Sequence, residues 1–155
     1  MRLPIALSLF LLSSLGGGAR AEGAEGVHPA TAECALSIRL SGFRSDEGQV
    51  LVAIFRGESG FPGESEKAIK RAVTSVRGGE ARVHVHDLPP GEYAVAVVHD
   101  ENRNNALDTN FLGIPKEGLG ISNNAKIRVG PPKYRDAKFS IDGGAVTQSI
   151  KIVYF

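Results

Sequence analysis

The chain has 155 residues, with 18 basic and 17 acidic side chains, four histidines, one cysteine and no tryptophan. That length fits one ordinary domain with room for a real core, and a formal charge of +1 without a basic run argues against nucleic acid as a partner. A single cysteine excludes an internal disulfide, so packing or a bound ion must supply the stability.

Residues 1–21 read as a secretory signal peptide: a basic Arg2, an apolar stretch from Leu3 to Leu12, small residues through Gly18, and the A-x-A site Ala19-Arg20-Ala21. The apolar stretch is far shorter than the roughly 20 residues that span a bilayer, and no later segment is long and apolar enough, so no membrane span is expected. Cleavage after Ala21 removes Arg2 and Arg20 and takes the formal charge to about −1. The expected location is periplasmic or secreted. Residues 22–33, rich in Ala, Gly and Glu, are too polar and too permissive to pack and read as a flexible arm, leaving 34–155 as the domain.

From Cys34 the chain alternates apolar and polar residues, with Cys34, Leu36, Ile38 and Leu40 on one face, the period of a half-buried strand. Cys34 itself reads as a small apolar strand residue, the alternative being an exposed thiol able to pair between chains. After the polar turn Arg44-Ser45-Asp46-Glu47-Gly48, Gln49–Phe55 reads as a second, more central strand, and the short connection predicts an antiparallel hairpin between the two. A helical turn is expected over Ser65–Ile69, then a strand to Val76, then one at Ala81–His86 with Val83 and Val85 facing in and His84 and His86 facing out. Leu88-Pro89-Pro90-Gly91 predicts a type II turn with Gly91 at positive φ.

Tyr93–His99 is the best core strand, with Tyr93, Val95 and Val97 on one face. Ala94 and Ala96 on the other suggest close approach by a further layer. The segment from Asp100 to Lys133 lacks alternation, and so long a loop in a compact domain is commonly functional. Strands through Phe139 and through Val146–Tyr154, joined at Asp142-Gly143-Gly144, end the chain. About seven short strands with Gly and Pro turns predict an all-β, single-domain β-sandwich with Greek-key connections and one long loop after the central strand.

The densest set of oxygen donors lies in that loop. With Asp100 as position 1, side-chain oxygens fall at positions 3, 5 and 9, at Asn102, Asn104 and Asp108, and the Ala106 carbonyl at position 7. That is the spacing of an EF-hand-type calcium loop, in which alternate residues curl around a hard cation. Asn105 stands where the loop's glycine belongs and Phe111 where its bidentate Glu belongs, and no helices flank it. Calcium is therefore the candidate cofactor, with Asp100, Asn102, Asn104, Ala106 and Asp108 as ligands and Glu101 or Glu117 able to fold back. The competing reading is a metal-free loop in which Asp and Asn cap turns through their own backbone.

Other constellations are thinner. His84, His86 and His99 together supply three imidazoles, a set that suits a zinc or copper carrier. His99 with the loop carboxylates Glu101 and Glu117 sketches a hydrolase, and Gly120-Ile121-Ser122 lacks the closing glycine of a nucleophile elbow, which leaves Ser122 a turn residue.

The segment LPPGEYAVAVVHDENRNNALDTNFLGIPKEGLGISNN, Leu88 to Asn124, followed by PPKYRDAKF at Pro131 to Phe139, resembles the bacterial family of domain of unknown function 2141. The resemblance implies an exported bacterial protein of β-sandwich type. The Leu-Pro-Pro-Gly-Glu-Tyr turn is also similar to transthyretin-like and carboxypeptidase regulatory-like modules, which implies an accessory binding or spacer role and carries no catalytic residue over. The expected function is a non-enzymatic extracytoplasmic binding or accessory domain, its partner an extracytoplasmic ligand or protein, with the segment from Asp100 to Asn124 as its working surface.

Overall fold

The computed structural model describes residues 34–127 and 130–155, and the expected leader and arm at 1–33 lie outside the described residues. Eight strands run in order: β1 (Ala35–Ser41), β2 (Gln49–Phe55), β3 (Lys70–Thr74), β4 (Glu80–Val85), β5 (Gly91–Asp100), β6 (Gly118–Ile121), β7 (Phe139–Ile141) and β8 (Ala145–Lys151). Short 3-10 turns at Ser65–Lys67 and Ser122–Asn124 and one helical turn, α1 (Tyr134–Ala137), complete the described elements. The fold is all-β and built as a two-sheet sandwich.

The sheets are assembled by strand faces. The rows that face the space between the sheets are Leu36, Ile38 and Leu40 in β1, Ala81, Val83 and Val85 in β4, and Tyr93, Val95 and Val97 in β5, each spaced by two because successive side chains of a strand point to opposite sides. These rows meet Val50, Val52, Ile54, Ile150 and Ile152 in one core between the sheets, where each fully buried aliphatic side chain contributes about 1.5–3 kcal/mol. Cys34 is buried in the same core.

One sheet has the order β4-β1-β8 and the other β3-β2-β5-β6, with β7 pairing the start of β5. β1 runs antiparallel to β4 and parallel to β8, its Ala35 opposite Ala145. The expected hairpin between the first two strands does not form: β1 and β2 lie in different sheets, and the turn after Ser41 carries the chain across the sandwich. Both strands are internal to their sheets.

The second sheet is covered on its outer side as well. Ala53, Phe55, Ala94, Ala96 and Ile121 pack there with Tyr134 and Ala137 of α1 and with Phe61. The alanines of β5 are small because this layer lies against them, as their pattern implied. At the entry to β5 the Tyr93 hydroxyl donates to the Pro89 carbonyl four residues upstream, a tyrosine-corner arrangement that ties the turn to the strand. Gly91 is not the left-handed residue of a type II turn. It sits at φ 157° inside β5, and Asp87 ahead of the prolines takes the left-handed φ of 59°.

The long irregular segment contains a strand that alternation does not reveal. In β6 the inward positions are Gly118 and Gly120, over which Ile150, Ile152 and Tyr154 pack so closely that a Cβ at Gly120 would stand 2.7 Å from Ile152 Cδ1. A glycine here is a packing requirement, and it erases the apolar signature of the strand's inner face.

Candidate functional site

His99 at the end of β5 pairs with Gly118 at the start of β6, so the chain between them leaves and re-enters the sheet on adjacent strands as one projecting loop, residues 101–117. Its base is anchored from below. Asp100 is fully buried, and its carboxylate accepts from the Gln49 amide at 2.8 Å and from the backbone N–H groups of Asn104 at 3.1 Å and Asn105 at 2.8 Å. Burial by itself raises an aspartate pKa, but hydrogen bonds from Gln49 and from the N–H groups of Asn105, Asn104 and Arg103 outweigh it and hold the Asp100 carboxyl below its ordinary value. Gly48 permits the approach of the neighbouring turn: a Cβ there would stand 2.2 Å from the Asp100 carbonyl oxygen.

Glu117 anchors the returning arm. It is buried, with one carboxylate oxygen accepting from the Glu101 N–H at 3.2 Å and the other from the Asp108 N–H at 3.0 Å. Glu101 is gripped by Arg44, whose Nε donates to it at 3.0 Å, and this hydrogen bond holds the Glu101 carboxyl below its usual range. The same guanidinium donates to the Lys116 carbonyl at 3.2 Å and lies 4.5 Å over the Tyr154 ring, a cation–π contact.

His99 closes the base on its inner side. Its Nε2 lies 2.8 Å from the Glu47 carbonyl, which can only accept, so that nitrogen carries the proton; its Nδ1, 2.7 Å away, then accepts from the Tyr154 hydroxyl. Tyr154 in turn accepts from the Arg44 N–H at 3.2 Å, and burial raises its pKa.

Above the base the loop is a run of side-chain-capped turns. The Asn102 Oδ1 accepts from the Asn104 N–H at 3.0 Å and the Asn104 Oδ1 from the Ala106 N–H at 2.9 Å, each two residues on, as in an Asx-turn. Arg103 and Asn105 take left-handed φ of 61°. Asp108 receives the amide of Asn102 at 2.6 Å and that of Asn104 at 3.1 Å on its two carboxylate oxygens.

The structure thus brings Asp100, Asn102, Asn104 and Asp108 onto one loop, with Asn102 and Asn104 both meeting Asp108 and with Ala106 contributing its N–H. Hydrogen bonds within the loop engage the side-chain oxygens of Asp100, Asn102, Asn104 and Asp108 that calcium would draw on, and among the described residues no group of three or more His, Cys, Asp and Glu side chains is arranged to hold a metal ion.

The structure also places the residues of the two further constellations. The three imidazoles do not converge: His84 and His86 are exposed beside inward-facing Val83 and Val85 of one sheet, whereas His99 is buried at the end of the inward row of the other. The hydrolase set His99, Glu101 and Glu117 meets at the loop base, where all three side chains are engaged in hydrogen bonds that fix the loop. Ser122 is buried, its hydroxyl accepting from the Val95 N–H at 2.9 Å and donating to the Ala137 carbonyl at 2.7 Å.

Beyond Asp108 the arms close as a narrow hairpin. The Lys116 N–H donates to the Asp108 carbonyl, Thr109 bridges Pro115, and the Asn110 N–H donates to the Ile114 carbonyl while its side-chain oxygen accepts from the N–H groups of Leu112 and Ile114. The tip turns Phe111 and Leu112 outward at 94% and 68% exposure, with Leu107 and Ile114 also exposed. The sequence pattern gave none of these four a role at the surface. Phe-Leu-Gly-Ile-Pro inside an otherwise polar loop was the signal that could have found them.

The loop's returning strand runs into Ser122-Asn123-Asn124, which stitches the molecule together. The Asn124 amide donates to the Ser149 carbonyl at 3.1 Å and accepts from the Lys151 N–H at 2.8 Å, standing in for a neighbouring strand along the open edge of β8. Asn123 donates to the carbonyls of Ala137 and Lys138.

No curated protein and no solved structure matches the chain. A family described as uncharacterized proteins conserved in bacteria, domain of unknown function 2141, matches residues 38–149, a span running from the middle of β1 into β8 that takes in the tyrosine corner, the side-chain-capped loop and the Asn124 edge cap. The chain belongs to the domain of unknown function 2141 family.

Proposed function

We propose that this protein is an exported, non-enzymatic binding or accessory module that works through the loop 101–117. One observation carries the reading: the loop is fixed by buried anchors at Asp100 and Glu117, yet its tip turns Phe111 and Leu112 into water. Ordering a loop costs about 1–2 kcal/mol per residue in backbone entropy, and an apolar group held in solvent returns none of it. Clustered exposed apolar side chains mark interaction sites. Engagement of Glu101, Glu117 and His99 in structural hydrogen bonds favours binding over hydrolysis. The leader at 1–21 supports export to the periplasm or medium, and the transthyretin-like character of the Leu88–Tyr93 turn supports an accessory role.

Site-specific photocrosslinking in an exporting host tests the reading. A benzophenone side chain at Leu112 should give adducts that the same group at Arg82, exposed on the opposite sheet, does not. Equal labelling at both positions, or none at Leu112, would overturn it.

Calcium is the second reading, favoured by the meeting of Asn102 and Asn104 on Asp108. Rotation of the two amides would turn oxygen in place of nitrogen toward Asp108, which is the arrangement a hard cation needs. The ion would then act as a further lock on the loop.

A further inference from the structure

We infer that the loop tip is a shallow membrane anchor that inserts Phe111 and Leu112 into the interfacial region of an anionic lipid bilayer. The inference rests on the reading of the loop as the working surface and names its partner.

Shape comes first. Residues 108–116 form a hairpin, with Asp108 facing Lys116, Thr109 facing Pro115 and Asn110 facing Ile114, so the apolar residues sit at a convex end. A protein partner must supply a matching pocket for such an end, whereas a bilayer needs no complementary shape. Asn110 ties the backbone of Leu112 and Ile114, so the tip meets the surface already ordered.

Charge gives the second argument. The loop's acidic groups are withdrawn from the surface or paired: Asp100 and Glu117 are buried, Glu101 is paired with Arg44, and Asp108 is half-buried with its oxygens accepting from two amides. Its cations, Arg103 and Lys116, are exposed and enter no ion pair among the described residues. By composition the loop is acidic, with four carboxylates against two cations, yet the charges it exposes fully are both positive, the complement of anionic headgroups.

Depth agrees with both. Lys116 lies two residue steps, roughly 7 Å, back from Ile114 along the hairpin arm, and apolar side chains of interfacial segments enter about 5–10 Å. With Phe111 and Leu112 at that depth the Lys116 ammonium stands at headgroup level.

The absence of tryptophan makes the test direct. Protein carrying Phe111→Trp, purified after export, has a single indole at the tip. Its emission should shift to the blue with phosphatidylglycerol-containing vesicles and be quenched by brominated lipid. Phe111→Ser combined with Leu112→Ser should lower vesicle partitioning about tenfold or more while leaving the thermal midpoint unchanged, because both side chains are exposed. Arg103→Gln with Lys116→Gln should remove the preference for phosphatidylglycerol over phosphatidylcholine vesicles. An indole that stays in water with vesicles present, or partitioning that survives the double serine change, would overturn the inference. A protein adduct at Leu112 without vesicle binding would leave the binding-module reading standing and remove the bilayer alone.

Discussion

Replacing Asp100 is the sharpest probe of how the loop is held. The fully buried carboxylate accepts three hydrogen bonds, from the Gln49 amide and the Asn104 and Asn105 N–H groups, and hydrogen bonds to a charged acceptor contribute about 1.5–3 kcal/mol each. The sum overstates the loss in Asp100→Ala, because Asn104 and Asn105 are exposed and their donors can turn to water. A loss of about 2–4 kcal/mol is expected, against about 0.5 kcal/mol or less for the exposed control Arg39→Ala. The assay is denaturant unfolding across pH. Since the folded pKa of Asp100 is depressed, its stabilisation is fully present above the unfolded value, near 3.9. It is lost as pH falls through the folded value, because the unfolded chain binds the proton first. The gap between wild type and Asp100→Asn should therefore be constant around neutrality and narrow below about pH 4. A gap that widens on acidification, or an Asp100→Ala protein as stable as Arg39→Ala, would refute the assignment of Asp100 as the anchor.

Gly120→Ala places a methyl 2.7 Å from Ile152 and 2.8 Å from Ile150 and should cost about 1–3 kcal/mol by overpacking, read as a lower denaturant midpoint with unchanged slope. Asn124→Ala removes the edge cap of β8 and should cost about 1–2 kcal/mol; because it also bares strand edge, light scattering should show more self-association than wild type at the same concentration. If calcium occupies the loop, the thermal midpoint rises with the ion, by about 2.7 kcal/mol of stability at a hundred times its dissociation constant, magnesium does much less, and Asp108→Ala abolishes the gain; a melt indifferent to millimolar calcium removes the ion. Protein recovered after export should begin at Glu22 by mass spectrometry, and an intact Met1 on most molecules would refute the leader.

Much of the sandwich was legible because its faces alternate. Leu36, Ile38 and Leu40 and then Tyr93, Val95 and Val97 point inward as their spacing required, and Ala94 and Ala96 announced the outer layer. Strand partnership was not legible. A short polar turn after Ser41 is compatible with a hairpin and with a crossover, and only the packing of the completed sheets, with β8 returning to lie beside β1, decides between them. β6 was hidden because glycine fills its inward positions. In the loop, the Asp and Asn positions that suggested a cation are the ones that cap its turns, since both uses need side-chain oxygens at alternate residues. The contributions of Gln49 and Arg44 come from distant segments and leave no local mark.

The pairing of the first and last strands has a kinetic consequence. β1 is the central strand of its sheet, and its parallel neighbour β8 lies about 110 residues further along the chain. Until the C-terminal segment is available, one edge of β1 has no partner and Ile150 and Ile152 are missing from the core. Contacts of such long range demand loop closure before they return any stabilisation, so they slow folding. Under the proposed export through a channel from the N-terminus, that delay would be useful: the sandwich could not close early in transit, and it would acquire its full core only once its final strand had emerged.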